Sequence, residues 1–209
     1  IAVTVAQTNA SFGSRRFWST FPATCVANVG GVEKVIEGFY MNAGIVGTIA
    51  QQSPSQSLTN FPLTGYTQVP GSQGYFTERQ LDQMAGGGTW VIIQRAKGAA
   101  PVARHALTSD MSSVETRTDI VTKVVDYAAK FYRSTLRSFI GRYNITQAFL
   151  DTLGSVAQGI GQFLVDANIL LSASLNSIKQ NPLQPDRVGM SIELGVPYPC
   201  NYIDVELVI

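Results

Sequence analysis

The chain has 209 residues, enough for one large domain or two small ones with a sizeable core. Hydrophobic residues make up 45%, which excludes a disordered chain, while charged residues make up only 14%, against roughly 25% in a typical soluble domain. Fifteen Lys and Arg against fourteen Asp and Glu leave a net charge of +1, so no basic excess points to nucleic acid or to an anionic membrane, and the scarcity of charge suits a surface covered by other chains.

In chain order, Ala2 to Ala6 alternates weakly and predicts a strand, followed by a polar turn over Asn9 to Arg16. Arg16 to Phe21 and Thr24 to Val29 read as short strands separated by Pro22, with a turn at Gly30-Gly31. From Glu33 to Gln52 the apolar residues Val35, Ile36, Phe39, Tyr40, Ala43, Val46, Ile49 and Ala50 recur at helical spacing. Gly38, Gly44 and Gly47 weaken that helix, so it is expected to pack closely on a sheet or another helix and to be buried. Broken by Glu37 and Asn42, its apolar run is shorter than the ~20 residues of a membrane span.

Ser53 to Ser57 ends the helix, and Leu58 to Gly65 is a loop with apolar anchors. Thr77 is placed to cap a helix over Glu78 to Ala85, which Gly86 to Gly88 stops. Thr89 to Arg95 is a buried-strand pattern that forms a hairpin with Val102 to Leu107 across the turn at Lys97 to Pro101. Glu115 to Arg142 predicts the longest helix, closed by Gly141, with an apolar face running from Ile120 to Ile140. Asn144 or Thr146 caps a further helix to about Ala167. Strands follow over Ile169 to Ile178, Arg187 to Leu194 and Tyr202 to Ile209, broken at Asn181 to Pro185 and Val196 to Pro199. The mixed order argues for an α+β fold, a mixed sheet with packed helices in a two-layer sandwich. No internal repeat stands out.

Few motifs carry chemistry. The phosphate loop and the nucleophile elbow are absent, and Gly159-Ile160-Gly161 sits within a helical pattern, not between a strand and a helix. Cys25 and Cys200 lack ligand-spaced neighbours and read as buried or half-buried free thiols. His105 is the only histidine; it serves either as a hydrogen-bonding residue where a strand ends or, with Asp110, as acid–base machinery. Asn144 fits a turn or cap better than a glycosylation site. The chain opens at Ile1 without a signal-peptide pattern, which suggests part of a longer chain.

Residues 111–144 carry a net charge of +3 and residues 145–209 a net −4. Lys130, Arg133 and Arg137 share a helix face, with Lys123 two turns earlier; the face is either solvated or a contact surface for an acidic partner. The segment Tyr202, Ile203, Asp204, Val205, Glu206, Leu207, Val208 and Ile209 has high β-propensity and two charges. It either completes its own sheet or pairs with another chain.

Taken together, an ordered set of segments resembles the tail sheath proteins of contractile phages. Pro54-Ser55-Gln56-Ser57-Leu58-Thr59-Asn60 is similar to the family's Pro-x-Gln-x-Leu-Thr-Asn stretch after a helix. Tyr75 to Asp82, Gly87 to Gln94, Arg104 to Asp110, Asp119 to Arg137, Asp186 to Val188 and Pro199 to Ile203 follow in matching order over residues 16–209. Two departures stand out: an N-terminal arm is missing, and Asn201 stands where an acidic residue is expected.

The resemblance implies a structural subunit with no catalytic, cofactor or metal site. Such subunits polymerise helically around an inner tail tube and contract to drive it through the host envelope. It implies a core over residues 1–195 and a C-terminal arm over 196–209 that adds a strand to a neighbour's sheet. The partners implied are further copies of the chain, the tube protein, and baseplate and terminator proteins, without nucleic acid or membrane insertion. The location implied is the virion tail, assembled in the host cytoplasm. The alternatives are another tail component, a sheath initiator or terminator ring, or an α+β enzyme using His105.

Overall fold

The computed structural model describes residues 1–69, 76–201, 203, 205 and 206. Residues 202, 204 and 207–209 of the expected last strand, and Tyr75 of the similar segments, lie outside them. The chain divides into two compact units, residues 1–122 with 199–209, and residues 123–198. As expected, the protein mixes helices with strands in an α+β arrangement.

The first unit begins with helix α1 (Ala2–Ala10), where a strand is expected. Ala2 and Asn9 form its buried face, and the Asn9 Nδ2 donates to Gly87 O at 2.9 Å. Gly87 comes so close to the Ala6 backbone that a Cβ there would clash with it. This docking outweighs the β-propensity of Val3, Thr4 and Val5. Strands β1 (Ser19–Phe21) and β2 (Thr24–Val29) follow as expected.

Gly30 and Gly31, at φ +64° and +85°, close a tight hairpin into β3 (Val32–Glu37), a strand where the helix is expected to begin. Helix α2 therefore starts later (Gly38–Gln51). It buries Gly38, Met41 and Ile45 but leaves Phe39, Tyr40 and Val46 exposed, so the expectation of a buried helix holds for one face only. Its glycines do mark close packing: a Cβ at Gly44 would strike the Tyr66 hydroxyl.

Strand β4 (Tyr66–Gln68), not foreseen, completes the sheet β3-β2-β4. Thr77 caps α3 (Glu78–Gly86) with a reciprocal box to Gln80, and the chain turns at Gly87 and Gly88 as expected. Strand β5 (Thr89–Ile93) is buried almost throughout and forms the centre of the sheet β1-β5-β6, parallel to β1 and antiparallel to the short β6 (Val102–Ala103). Trp90 is fully buried in a core with Met41, Ile45, Leu58 and Leu63. It stacks on Trp18 at 4.7 Å, and its indole N–H donates to Leu107 O.

The expected single helix over Glu115 to Arg142 is three pieces. Helix α4 (Val114–Arg117) ends at Thr118, which bridges to Leu107 in extended conformation. Thr108 N donates to Arg117 O at 2.8 Å, so the local backbone bonds run to the neighbouring segment instead of along the helix. Helix α5 (Asp119–Leu136) follows, and Arg137–Phe139 tighten into a 3-10 turn before Gly141 at φ +74°.

In the second unit, α6 (Gln147–Asp166) is capped by Thr146 as expected. It buries Leu153, Ala157, Ile160 and Leu164, one stripe at helical spacing. A Cβ at Gly161 would lie 2.8 Å from Ala173 Cβ and 3.0 Å from the Tyr132 hydroxyl, so glycine lets α6 lie close to the strand beside it. Strand β7 (Ser172–Gln180) begins later than expected because Ile169 and Leu170 donate their N–H groups to Leu164 O and bury themselves at the helix end. Strand β8 (Val188–Gly195) pairs antiparallel with β7, and the two form a separate sheet.

Candidate functional site

The second unit carries an open groove of about 900 Å³. The sequence builds it from a helix that stops early. Leu136 ends α5, the 3-10 turn and Gly141 swing the chain away, and the loop returns through Tyr143 and Ile145 to the Thr146 cap of α6. The aromatic wall is Phe139, Tyr143 and Phe149, with Tyr143 stacked on Phe149 at 5.4 Å and 6.0 Å from Phe139. Leu153 of α6 and Val188 and Met190 of β8 supply aliphatic surface. Ile140 and Tyr143 also line it and are 77% and 61% exposed, a large exposure for apolar groups of this size.

Three guanidinium groups, Arg133, Arg137 and Arg187, line the groove with a single carboxylate, Asp186. The groove therefore combines apolar walls with an excess of positive charge. Of the expected basic face, Arg133 and Arg137 are exposed and belong to this groove. Lys130, also exposed, stands about one turn earlier on α5, and Lys123, half-buried, about two turns before that. Tyr132, a buried lining residue of the groove, has its phenol pKa raised by burial.

The groove as a whole was not foreseen. The helix break at Gly141 is visible in the sequence, but the aromatic residues on either side read as the end of one apolar face and the start of another. Arg187, forty-five residues beyond Arg142, gives no periodic signal that ties it to α5.

Among the described residues of the expected last strand, Ile203, Val205 and Glu206 lie outside any strand. Ile203 and Val205 are 81% and 75% exposed. Strand β8 has one partner, β7, so its other edge carries no strand among the described residues.

His105 and Asp110 lie in the first unit. Asp110 accepts hydrogen bonds from Ser112 Oγ at 2.6 Å and Ser112 N at 3.1 Å, and these hold its pKa below the ordinary value. The His105 pKa is lowered, first by burial and then by the Arg104 guanidinium. Arg104 itself pairs with Glu78 at 2.9 Å and Asp82 at 2.6 Å. Cys25 is buried and its thiol pKa is pushed up by burial, whereas Cys200 is exposed and not half-buried as expected. Among the described residues no cluster of three His, Cys, Asp or Glu is placed to hold a metal, and no helix is long and apolar enough to cross a membrane.

No protein-family model matches the chain, and no curated protein sequence matches it. Solved structures do. The chain is similar to a protein of an extracellular contractile injection system, the PVC sheath complex in its contracted state, with a TM-score of 0.76 at 12% identity, covering 100% of this chain and 60% of that one. It is similar to a chain of the anti-feeding prophage baseplate, with a TM-score of 0.71 at 13% identity over 100% of this chain and 64% of that one. It is also similar to the sheath tail protein of Desulfitobacterium hafniense, with a TM-score of 0.62 at 12% identity over 93% of this chain and 54% of that one. The chain thus spans between 54% and 64% of the length of these three structures. What the protein shares with them is its fold, the α+β fold of contractile sheath proteins.

Proposed function

We propose that the chain is a structural subunit of a contractile tail sheath. It polymerises helically around an inner tube and contracts to drive that tube through the host envelope. The observation that carries this reading is the backbone likeness to the PVC sheath chain over the whole length of the protein. Head-to-tail contacts that do not close generate such a tube, and two packings of one subunit fold supply the two lengths. The scarcity of charge, at 14% of residues, and the exposed Phe39, Tyr40 and Val46 of α2 support a subunit with several covered faces.

Work in this reading comes from repacking, not from bond chemistry. The segment Tyr202 to Ile209 is the arm that joins copies, and the edge of β8 that carries no strand among the described residues, eight residues long, offers it a ladder. The partners are further copies, the inner tube, and baseplate and terminator proteins, and the place is the tail of a virion or related injection device. The basic face at Lys123, Lys130, Arg133 and Arg137 meets an acidic partner.

A second reading, a ring-forming component at one end of the tail, is favoured by the likeness to a chain of a six-fold baseplate. Negative-stain microscopy of the purified full chain separates them. Long tubes support the sheath subunit, closed rings support the end component, and monomers under all conditions remove both.

A further inference from the structure

The arginines of the second unit's groove differ from the arginine of the first unit's seam. Arg104 is held by two carboxylates, Glu78 at 2.9 Å and Asp82 at 2.6 Å. Among the described residues none of Arg133, Arg137 and Arg187 forms a salt bridge, not even with Asp186 in the same groove. Three guanidinium charges gathered against one carboxylate repel one another and favour an anion between them. Beside them the rings of Tyr143 and Phe149 stack at 5.4 Å, and Val188 and Met190 add aliphatic surface. The volume, about 900 Å³, falls within the ~300–1,000 Å³ of small-molecule sites, which likewise combine apolar walls with a few polar groups.

We propose that this groove is a binding site for a small amphipathic acid, a flat aryl body carrying one anionic head group. The head group is held by Arg133 and Arg187, whose guanidinium forks form paired hydrogen bonds with a carboxylate, and Arg137 adds a third positive charge. The aryl body lies against the Tyr143 and Phe149 rings, where an offset stack is favoured and where a guanidinium can also cover an aromatic face. An apolar molecule without charge would leave the three arginines unmatched, and a simple inorganic anion would leave the aromatic wall in water. Asp186 disfavours a ligand of high negative charge, so one anionic group fits better than several. The site goes beyond the sheath reading and does not need it, because every lining residue belongs to the second unit of a single chain.

The test is an equilibrium titration of the full chain with naphthoate, followed by the ligand's own fluorescence, beside its uncharged analogue naphthylmethanol. Saturable binding of one naphthoate per chain is expected, about tenfold or more tighter than the alcohol. Arg133→Gln with Arg187→Gln should weaken naphthoate about tenfold and leave the alcohol unchanged, whereas Tyr143→Ser should weaken both. Asp186→Asn, which removes the opposing carboxylate, should tighten naphthoate about two- to threefold. All four residues replaced are exposed, and circular dichroism checks each variant; Arg187→Gln alone carries the test if the double variant fails to fold. Binding that does not saturate, equal affinity for acid and alcohol, or naphthoate binding untouched by the arginine variants overturns the proposal. An all-glutamate peptide that binds through the same arginines while naphthoate does not gives the groove to an acidic protein surface, which also overturns it.

Discussion

Strands β5 and β8 are built for opposite ends. β5 has a strand on each side, β1 and β6, and four of its five residues, Thr89 to Ile92, are buried. Among the described residues β8 is paired on one side only, its burial alternates, and Val188 and Met190 at its start line an open groove. The first strand is finished within its own chain, so its side chains serve stability. The second, among the described residues, leaves backbone groups and apolar side chains unmatched, a state that a folded protein keeps where something else will cover it. Substitutions should therefore separate cleanly: near β5 they should unfold the protein, and around β8 they should change what it joins.

The largest effect is expected at Trp90. Trp90→Ala removes the stack on Trp18 and the indole bond to Leu107 and leaves a cavity in the first unit's core, for a loss of about 3–5 kcal/mol. Chemical denaturation of the two proteins measures it; a loss under about 1 kcal/mol would mean that β5 is not the core the comparison makes it. Next comes Gly161→Val, which tests whether the second unit has a rigid core beneath its open face. The added side chain meets Ala173 and Tyr132, and overpacking of this kind costs about 1–3 kcal/mol. Thr77→Ala breaks the capping box of α3, which packs against β5 through Leu81 and Met84 with Val91, and should cost about 1 kcal/mol by the same assay.

His105 gives a pH-dependent version of the test. Its folded pKa lies below the ordinary 6.5, so the folded protein binds fewer protons there than the unfolded chain. The stability it contributes is full above 6.5 and is lost as pH falls below that value through the lowered pKa. The melting temperature of the wild-type protein should drop between pH 7.5 and pH 5, and His105→Gln should make that drop shallower. An unchanged slope would place the pH sensitivity elsewhere.

What could be read from the sequence follows the same division. β5 announces itself as Thr-Trp-Val-Ile-Ile after a glycine stop, and Thr77 with Gln80 marks the helix before it, because burial and capping both leave local signatures. Of the elements that did not read correctly, three went astray for a tertiary reason. α1 is rich in β-branched residues but helical because Asn9 and Ala6 dock on Gly87. β3 shares apolar spacing with the helix that follows, and only the positive φ of Gly30 and Gly31 reveals the hairpin. The long helix breaks at Thr118 because its backbone bonds to the segment at residues 106–108. The groove was legible only in part: Arg133 and Arg137 stand out as a shared helix face, while Arg187 and Met190 arrive from a strand whose position no periodicity encodes.

The smallest stability effect and the sharpest contrast are expected at Tyr143. Its ring is mostly exposed, touching Phe139 and Phe149 along one side of the groove, so Tyr143→Ser should alter folding stability by no more than about 0.5 kcal/mol. The same change removes an exposed aromatic ring that the groove offers a partner, and aromatic anchors of this kind carry a large share of the energy at protein interfaces. Assembly of Tyr143→Ser, followed by sedimentation beside the wild-type protein, should fall while its denaturation curve stays in place. If the two measurements move together, Tyr143 belongs to the fold after all, and the contrast between a finished β5 and an unfinished β8 loses its meaning. If neither moves, the groove's exposed wall is ordinary surface, and the covering partner must be sought at Phe39, Tyr40 and Val46 of α2 instead.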